Sequence, residues 1–255
     1  RAEIARLAEI ARVKEEARAK LSKSLGFISS ASERIGTASA NYAPTVGKGV
    51  DTTAVAGKLA EGASLGRESD LVDRFGVSRP SLREALRILE AEGLTEHEAH
   101  KGARVPRLSQ HEVDMIYQMR ERLEPLALIE SLPHLGDADL AHVTELQEQI
   151  EANEDLDRFL ELDREFHLST YTGCTLDPLM SMVTRLWNST QHYRRAYVAL
   201  GGAGRMWVVN AEHRLILDAV ERRDPVDAER YLGGHIRRTR IELGRHPEVF
   251  GGAGA

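Results

Sequence analysis

The chain has 255 residues, 42% of them apolar and 29% charged, a balance that suits a soluble globular protein of one large or two small domains. No run approaches the ~18 consecutive apolar residues of a membrane span, and the single Cys174 excludes an internal disulfide framework or a cysteine-rich zinc module. The N-terminal stretch is charged and alanine-rich, without the apolar core of a secretion signal, so the expected location is the cytoplasm. The net charge of -6 is unevenly spread. Residues 1–65 carry 10 Lys and Arg against 7 Asp and Glu, residues 66–108 carry 8 against 8, and residues 109–255 carry 16 against 25. The acidity sits in the C-terminal part, and a polyanion is best accommodated in the N-terminal part.

Residues 1–24 are rich in Ala, Glu, Lys and Arg and read as a helical arm. Residues 25–50 are rich in Gly, Ser and Ala and read as a linker, so 1–50 form a segment without an assigned role. From Asp51 the signals sharpen. A short helix is expected over 51–60, a turn at Gly62 and Gly66, and a second helix over 68–75 stopped by Gly76. A third helix begins at Ser78 with Pro80 in its first turn, buries Leu82, Ala85, Leu86 and Leu89, and ends at Gly93. Residues 94–107 are short and polar around Lys101-Gly102, as in a two-stranded hairpin. Helix, turn, helix, hairpin is the order of a winged helix-turn-helix over 51–108.

The remainder is expected to be helical. Residues 109–132, 137–153, 155–171, 178–199, 205–222 and 225–244 each place apolar residues at intervals of three and four, with breaks rich in Gly and Pro between them. The expected fold class is mainly α, an N-terminal winged helix-turn-helix followed by an antiparallel bundle of about six helices over 109–245, with a flexible tail over 246–255.

Two groups of residues carry chemistry. The N-terminal residues of a recognition helix enter the major groove, and here those are Ser78, Arg79, Pro80, Ser81 and Arg83. Arginine binds guanine bidentately, serine hydroxyls hold phosphates, and Arg79 and Arg83 share a helix face. In the bundle, Asp163 and His167 are four apart on one helix face, so carboxylate and imidazole can converge on one metal. His213 and His235 lie on later helices beside apolar positions. One carboxylate and three imidazoles suit Zn, Ni, Mn or another first-row divalent ion with positions left open. The chain has 10 histidines, and a lone half-buried histidine is more often structural than a ligand, so spacing alone favours a purely structural role for these three. His97, His100, His111, His134, His142, His192 and His246 have no comparable pairing and read as surface or core.

The stretch FGVSRPSLREALRILEAEGL resembles the DNA-binding motif of GntR-family bacterial transcription regulators, with its Gly-Val-Ser-Arg, Arg-Glu-Ala-Leu and Leu-Glu-x-x-Gly-Leu elements all present. The resemblance implies DNA contacts from Arg79 and Arg83, with Ser78 and Ser81 beside them, and a minor-groove wing at Lys101 and Gly102. It departs where the family usually has Glu-Arg-Glu-Leu: this chain reads Glu68-Ser69-Asp70-Leu71, and Arg67 is the neighbouring arginine available instead. The bundle resembles the FCD (FadR C-terminal domain) effector-binding domain of one GntR subgroup. The match rests on Arg120, Leu123 and Glu124, on Asp163, Phe166 and His167, on Ala211, Glu212 and His213, and on His235. This implies a divalent metal held by Asp163, His167, His213 and His235. Composition reads Arg120 as one solvated arginine among several, whereas the resemblance places it in an effector cavity, where a guanidinium pairs with a carboxylate. Trp187, Asn188, Gln191, Tyr193 and Arg194 lie on the fourth bundle helix. Of these, Asn188 and Gln191 are taken with Arg120 as effector-binding.

The function these observations imply is a ligand-responsive transcription regulator. It binds a palindromic double-stranded operator as a homodimer and responds to a small organic acid at the metal site, with no membrane partner and no enzymatic activity. The alternative is a metal-dependent hydrolase-type enzyme using the Asp/His3 site. Against it, the only general bases in view are Glu165 and Glu212, each beside a metal ligand, and neither a nucleophile motif nor a phosphate-binding loop is present.

Overall fold

The computed structural model describes residues 61–75, 78–98, 102–201 and 203–250. The helices expected over 1–24 and 51–60, the helix stop at Gly76 and the hairpin tip at Lys101 lie outside the described residues. The chain divides into two compact units between Pro106 and Arg107.

In the N-terminal unit, α1 (Glu68–Phe75) packs on α2 (Arg79–Ala91), and β1 (Glu96–Glu98) pairs antiparallel with β2 (Gly102–Arg104). Leu71, Leu82, Ala85, Leu94, Ala103 and Val105 form its buried centre. Helix α2 ends because Gly93 takes a φ of 75°. The amide of Leu94 then donates to Leu89 O at 2.9 Å and that of Gly93 to Glu90 O at 3.1 Å, a Schellman arrangement that returns buried Leu94 to the helix. The turn expected here falls at Glu61 and Gly62, and residues 63–65 then run alongside β2: Leu65 N donates to Ala103 O at 2.9 Å and Val105 N to Ala63 O at 2.9 Å. Gly102 has a φ of 85°, and a Cβ there would lie 3.1 Å from Gly66 O, so only glycine fits this close approach without displacement.

The C-terminal unit is all helical: α3 (Gln110–Ser131), α4 (Asp137–Glu151), α5 (Leu156–Thr170), α6 (Asp177–Gly201), α7 (Met206–Glu221) and α8 (Pro225–Gly244), with 3-10 turns between and after them; the last of these, Pro247–Phe250, buries Val249 in the core where the sequence predicts a flexible tail. Each helix lies within two residues of its sequence-expected ends. The starts are chemically specified. Ser109 and Glu112 form a capping box on α3, Asp155 accepts from Arg158 N at 2.7 Å on α5, and Asp224 caps α8 with Pro225 in its first turn. Helix α3 packs on α6 and α8, and α4 packs on both α5 and α7. The core runs through Tyr117, Leu128, Val143, Ile150, Phe166, Trp187, Ile216 and Leu232. Among the described residues, no helix is long and apolar enough to cross a membrane.

Candidate metal centre and nucleic-acid interface

The packing of α4 against α5 and α7, and of α7 against α8, brings Asp163 and His167 of α5 to His213 of α7 and His235 of α8. One ligand atom from each of the four lies within 4.8 Å of the other three, and all four residues are buried. The rings are tightly packed. His213 stacks on Phe166 with centroids 4.3 Å apart, and His167 lies 5.1 Å from both His213 and His235.

The polar atoms at the middle of this cluster are left open. Asp163 Oδ1 and His213 Nε2 face each other at 3.6 Å, and neither they nor His167 Nδ1 has a hydrogen-bond partner. Buried polar atoms of this kind are normally satisfied, so orphaned donors on three of the four residues fit a divalent cation held between them. The outward atoms are occupied: Asp163 Oδ2 accepts from Arg194, His213 Nδ1 meets Gln147 Oε1 at 2.8 Å, and His235 Nδ1 meets Glu212 Oε2 at 2.9 Å. Metal-binding histidines typically have one ring nitrogen held in this way while the other ligates.

The electrostatics favour the metal-ready protonation states. Burial raises the pKa of Asp163, but the charge and hydrogen bond of Arg194, with His167 and His213 nearby, hold it well below the usual carboxylate range. Burial, reinforced by the neighbouring His235, lowers His213 to about 3, and burial likewise pushes His167 well below its ordinary value. A charged aspartate and neutral imidazoles are the forms that ligate.

Trp187 lies beside this cluster. Its ring is 5.4 Å from that of His167, and on it rest the guanidinium carbons of Arg120 at 4.2 Å and Arg194 at 5.5 Å. Arg120 is not the solvated arginine that composition suggests; it is buried and donates to Glu124 at 2.6 Å and to Thr190 Oγ1 at 3.0 Å. Burial lowers its pKa, but the charge and hydrogen bond of Glu124, with Tyr117 and Tyr171 nearby, together outweigh that and leave it raised. Asn188 and Gln191 are both buried on α6, and Asn188 Oδ1 accepts from Arg164 at 3.2 Å. Sequence reasoning missed Gln147 and the role of Glu124. Gln147 carries no local signal, because it is 66 residues from His213, whereas Arg120 and Glu124 are at the i, i+4 spacing of a helical ion pair.

In the N-terminal unit, Ser78 precedes α2 and its carbonyl accepts from Leu82 N at 3.0 Å. Ser78, Arg79 and Arg83 are exposed along the start of the helix, with Ser81 in its first turn. Arg83 pairs with Glu68 at 2.8 Å, and Arg67 pairs with Asp70 at 2.9 Å. Gly102 opens β2.

Comparison with known proteins assigns both units. Residues 46–105 match the family described as bacterial regulatory proteins, gntR family, and residues 115–238 match the FCD domain. The chain belongs to the GntR family, in its FCD subgroup. Its relatives include an uncharacterised HTH-type transcriptional regulator of Bacillus subtilis (strain 168), 29% identical over 66% of this chain and 76% of that protein. They also include the galactonate operon transcriptional repressor of Escherichia coli (strain K12), 26% identical over 72% of this chain and 87% of that protein. Among solved structures, E. coli McbR/YncC shares the fold with a TM-score of 0.66 at 22% identity, covering 76% of this chain and 93% of its own. A GntR regulator from Rhodococcus sp. RHA1 does so with a TM-score of 0.60 at 22% identity, over 74% of this chain and 90% of its own. By family, the chain is therefore a transcriptional regulator.

Proposed function

We propose that this GntR regulator binds a palindromic operator as a homodimer, and that a small organic acid bound beside a divalent metal in the bundle controls that binding. The single observation that carries the metal is the buried convergence of Asp163, His167, His213 and His235, with Asp163 Oδ1 and His213 Nε2 left unpaired at its centre. A divalent ion there would supply a Lewis-acidic centre with positions free for an anionic ligand.

The protein's own groups prepare that ligand's surroundings. Arg120 presents a buried guanidinium on the face of Trp187, held from behind by Glu124. A carboxylate on the same side meets a charge-assisted donor that has already been desolvated. Asn188 and Gln191, buried on the same helix as Trp187, are the further polar groups assigned to the effector. An organic acid suits this site, and one relative is named for the galactonate operon, galactonate being a sugar acid.

In the DNA-binding unit, Arg79 and Arg83 are the groups for base edges, and Arg67, Ser78, Ser81 and the wing at Lys101 and Gly102 address the backbone and minor groove. Two-fold symmetry of a dimer maps onto a palindromic site. The effector acts through its differential affinity for the DNA-competent and DNA-incompetent arrangements.

The experiment is a thermal-shift screen of organic acids against full-length protein loaded with Zn2+, Ni2+ or Mn2+ and against protein stripped by chelator. The reading predicts that at least one acid stabilises the loaded protein, and that the shift disappears in stripped protein and in Arg120→Lys. Metal uptake absent for all three ions, with the protein folded, would overturn the metal and effector parts together.

A further inference from the structure

Gln147 lies on α4, outside the four-residue cluster, and its side chain is completely buried at 0% exposure. Three neighbours surround its amide. Oε1 is 2.8 Å from His213 Nδ1, while Nε2 is 3.0 Å from Glu151 Oε1 and 3.3 Å from Asn210 Oδ1. The chemistry of those neighbours decides which way the amide points. Arg214 donates from Nε and Nη2 to the two oxygens of Glu151, each at 2.7 Å, so Glu151 is a carboxylate and only accepts. Asn210 turns an oxygen toward the same nitrogen. Reversing the Gln147 amide would set its oxygen against a carboxylate oxygen and forfeit both hydrogen bonds.

The carbonyl of Gln147 therefore faces His213. A carbonyl only accepts, so His213 Nδ1 must carry the proton, and a neutral imidazole protonated at Nδ1 has its lone pair on Nε2. Nε2 is the atom that points into the cluster, 3.6 Å from Asp163 Oδ1 and without a hydrogen-bond partner. His235 is held by a different kind of group, the Glu212 carboxylate, which is itself ion-paired with Arg238.

We propose that Gln147 is the positioning residue of this centre: it commits His213 to the tautomer that offers Nε2 to a divalent cation. The surface pair Arg214–Glu151 fixes the orientation of Gln147 in turn. This assignment rests on the metal reading above, since it names what prepares one ligand before the ion arrives. Hydrogen-bond partners of this kind are worth about 10- to 100-fold in metal affinity in other proteins.

The test uses the full chain, with Zn2+ alone as the probe. Imidazole nitrogen NMR on metal-free protein reads the His213 tautomer, and competition with a chromogenic chelator reads Zn2+ affinity. The parent should show His213 protonated at Nδ1. Gln147→Met, similar in volume but lacking the carbonyl, should lose that preference and bind Zn2+ about 10- to 100-fold more weakly. Gln147→Glu combined with Glu151→Gln, which keeps an oxygen facing Nδ1 and replaces the carboxylate that its second oxygen would otherwise meet, should retain the tautomer and recover most of the affinity. A folded Gln147→Met variant with parental tautomer and affinity would overturn the proposal. So would a metal-free parent with His213 protonated at Nε2, whatever the variants do. A parent that binds no Zn2+ would defeat the metal reading, while the tautomer in that same protein still upholds or overturns the part assigned to Gln147.

Discussion

Arg120 donates from Nε to Glu124 Oε1 at 2.6 Å, with both residues buried at 3% and 0% exposure. The other Glu124 oxygen accepts from Tyr171 Oη at 2.9 Å and Trp187 Nε1 at 2.8 Å. The arginine assigned to the effector thus has a carboxylate of its own, and that carboxylate is tied to α5 and α6 as well as to α3. Removing one member of such a pair leaves a buried charge without its counterion. Arg120→Ala is expected to destabilise the bundle by about 3 kcal/mol, read as a fall in the urea midpoint at constant m-value. A change below about 1 kcal/mol would show that the pair is dispensable.

The buried histidines predict acid sensitivity of the metal-free protein. The folded pKa of His213 is depressed to about 3 against an unfolded value near 6.5, so below pH 6.5 the unfolded chain binds a proton that the folded chain refuses. The stability contributed is complete above pH 6.5 and is lost as pH falls toward 3. From pH 7 to pH 5 this single group accounts for about 2 kcal/mol, and His167, depressed for the same reason, adds in the same direction. Unfolding free energies measured across that range in chelator should fall with pH, and a His213→Gln variant should show a flatter profile. An equally steep profile in that variant would refute the assignment.

Metal removal should lower the thermal midpoint. An ion that binds only the folded state at 100 times its dissociation constant adds about 2.7 kcal/mol. Chelation of the loaded protein is expected to remove that increment, and Asp163→Asn should show no rise in midpoint on adding Zn2+ because the carboxylate at the open centre is lost. A parental rise in that variant would exclude Asp163 as a ligand.

At the DNA interface, Arg79→Ala should weaken binding to the preferred sequence by about 1–3 kcal/mol and relax base preference. The logarithm of affinity should fall linearly with the logarithm of salt, as release of counterions from neutralised phosphates requires. Arg83→Ala should act similarly while also freeing Glu68. Fluorescence anisotropy against specific and scrambled duplexes separates the effects, and equal losses on both would make these arginines phosphate contacts only.

The bundle was legible in the sequence because its helices carry apolar residues at intervals of three and four and begin at recognisable caps, such as Ser109 with Glu112 and Asp224 with Pro225. The pairing of residues 63–65 with β2 was not, since so short an extended stretch between two glycines has the composition of a turn. At the site, Asp163 and His167 declare themselves by their spacing on one helix face. Their meeting with His213 and His235 depends on how four separate helices pack, which periodicity does not encode. Gln147 is more hidden still: a glutamine facing inward from α4 looks like any other polar residue until the position of His213 is known.

Selection from a pool of random duplexes tests the claim that this GntR regulator reads a two-fold symmetric DNA sequence. Folded, metal-loaded protein should enrich a single palindromic family over successive rounds, and the Arg79→Ala variant should fail to enrich it. A pool that stays random with the parent protein would contradict the claim.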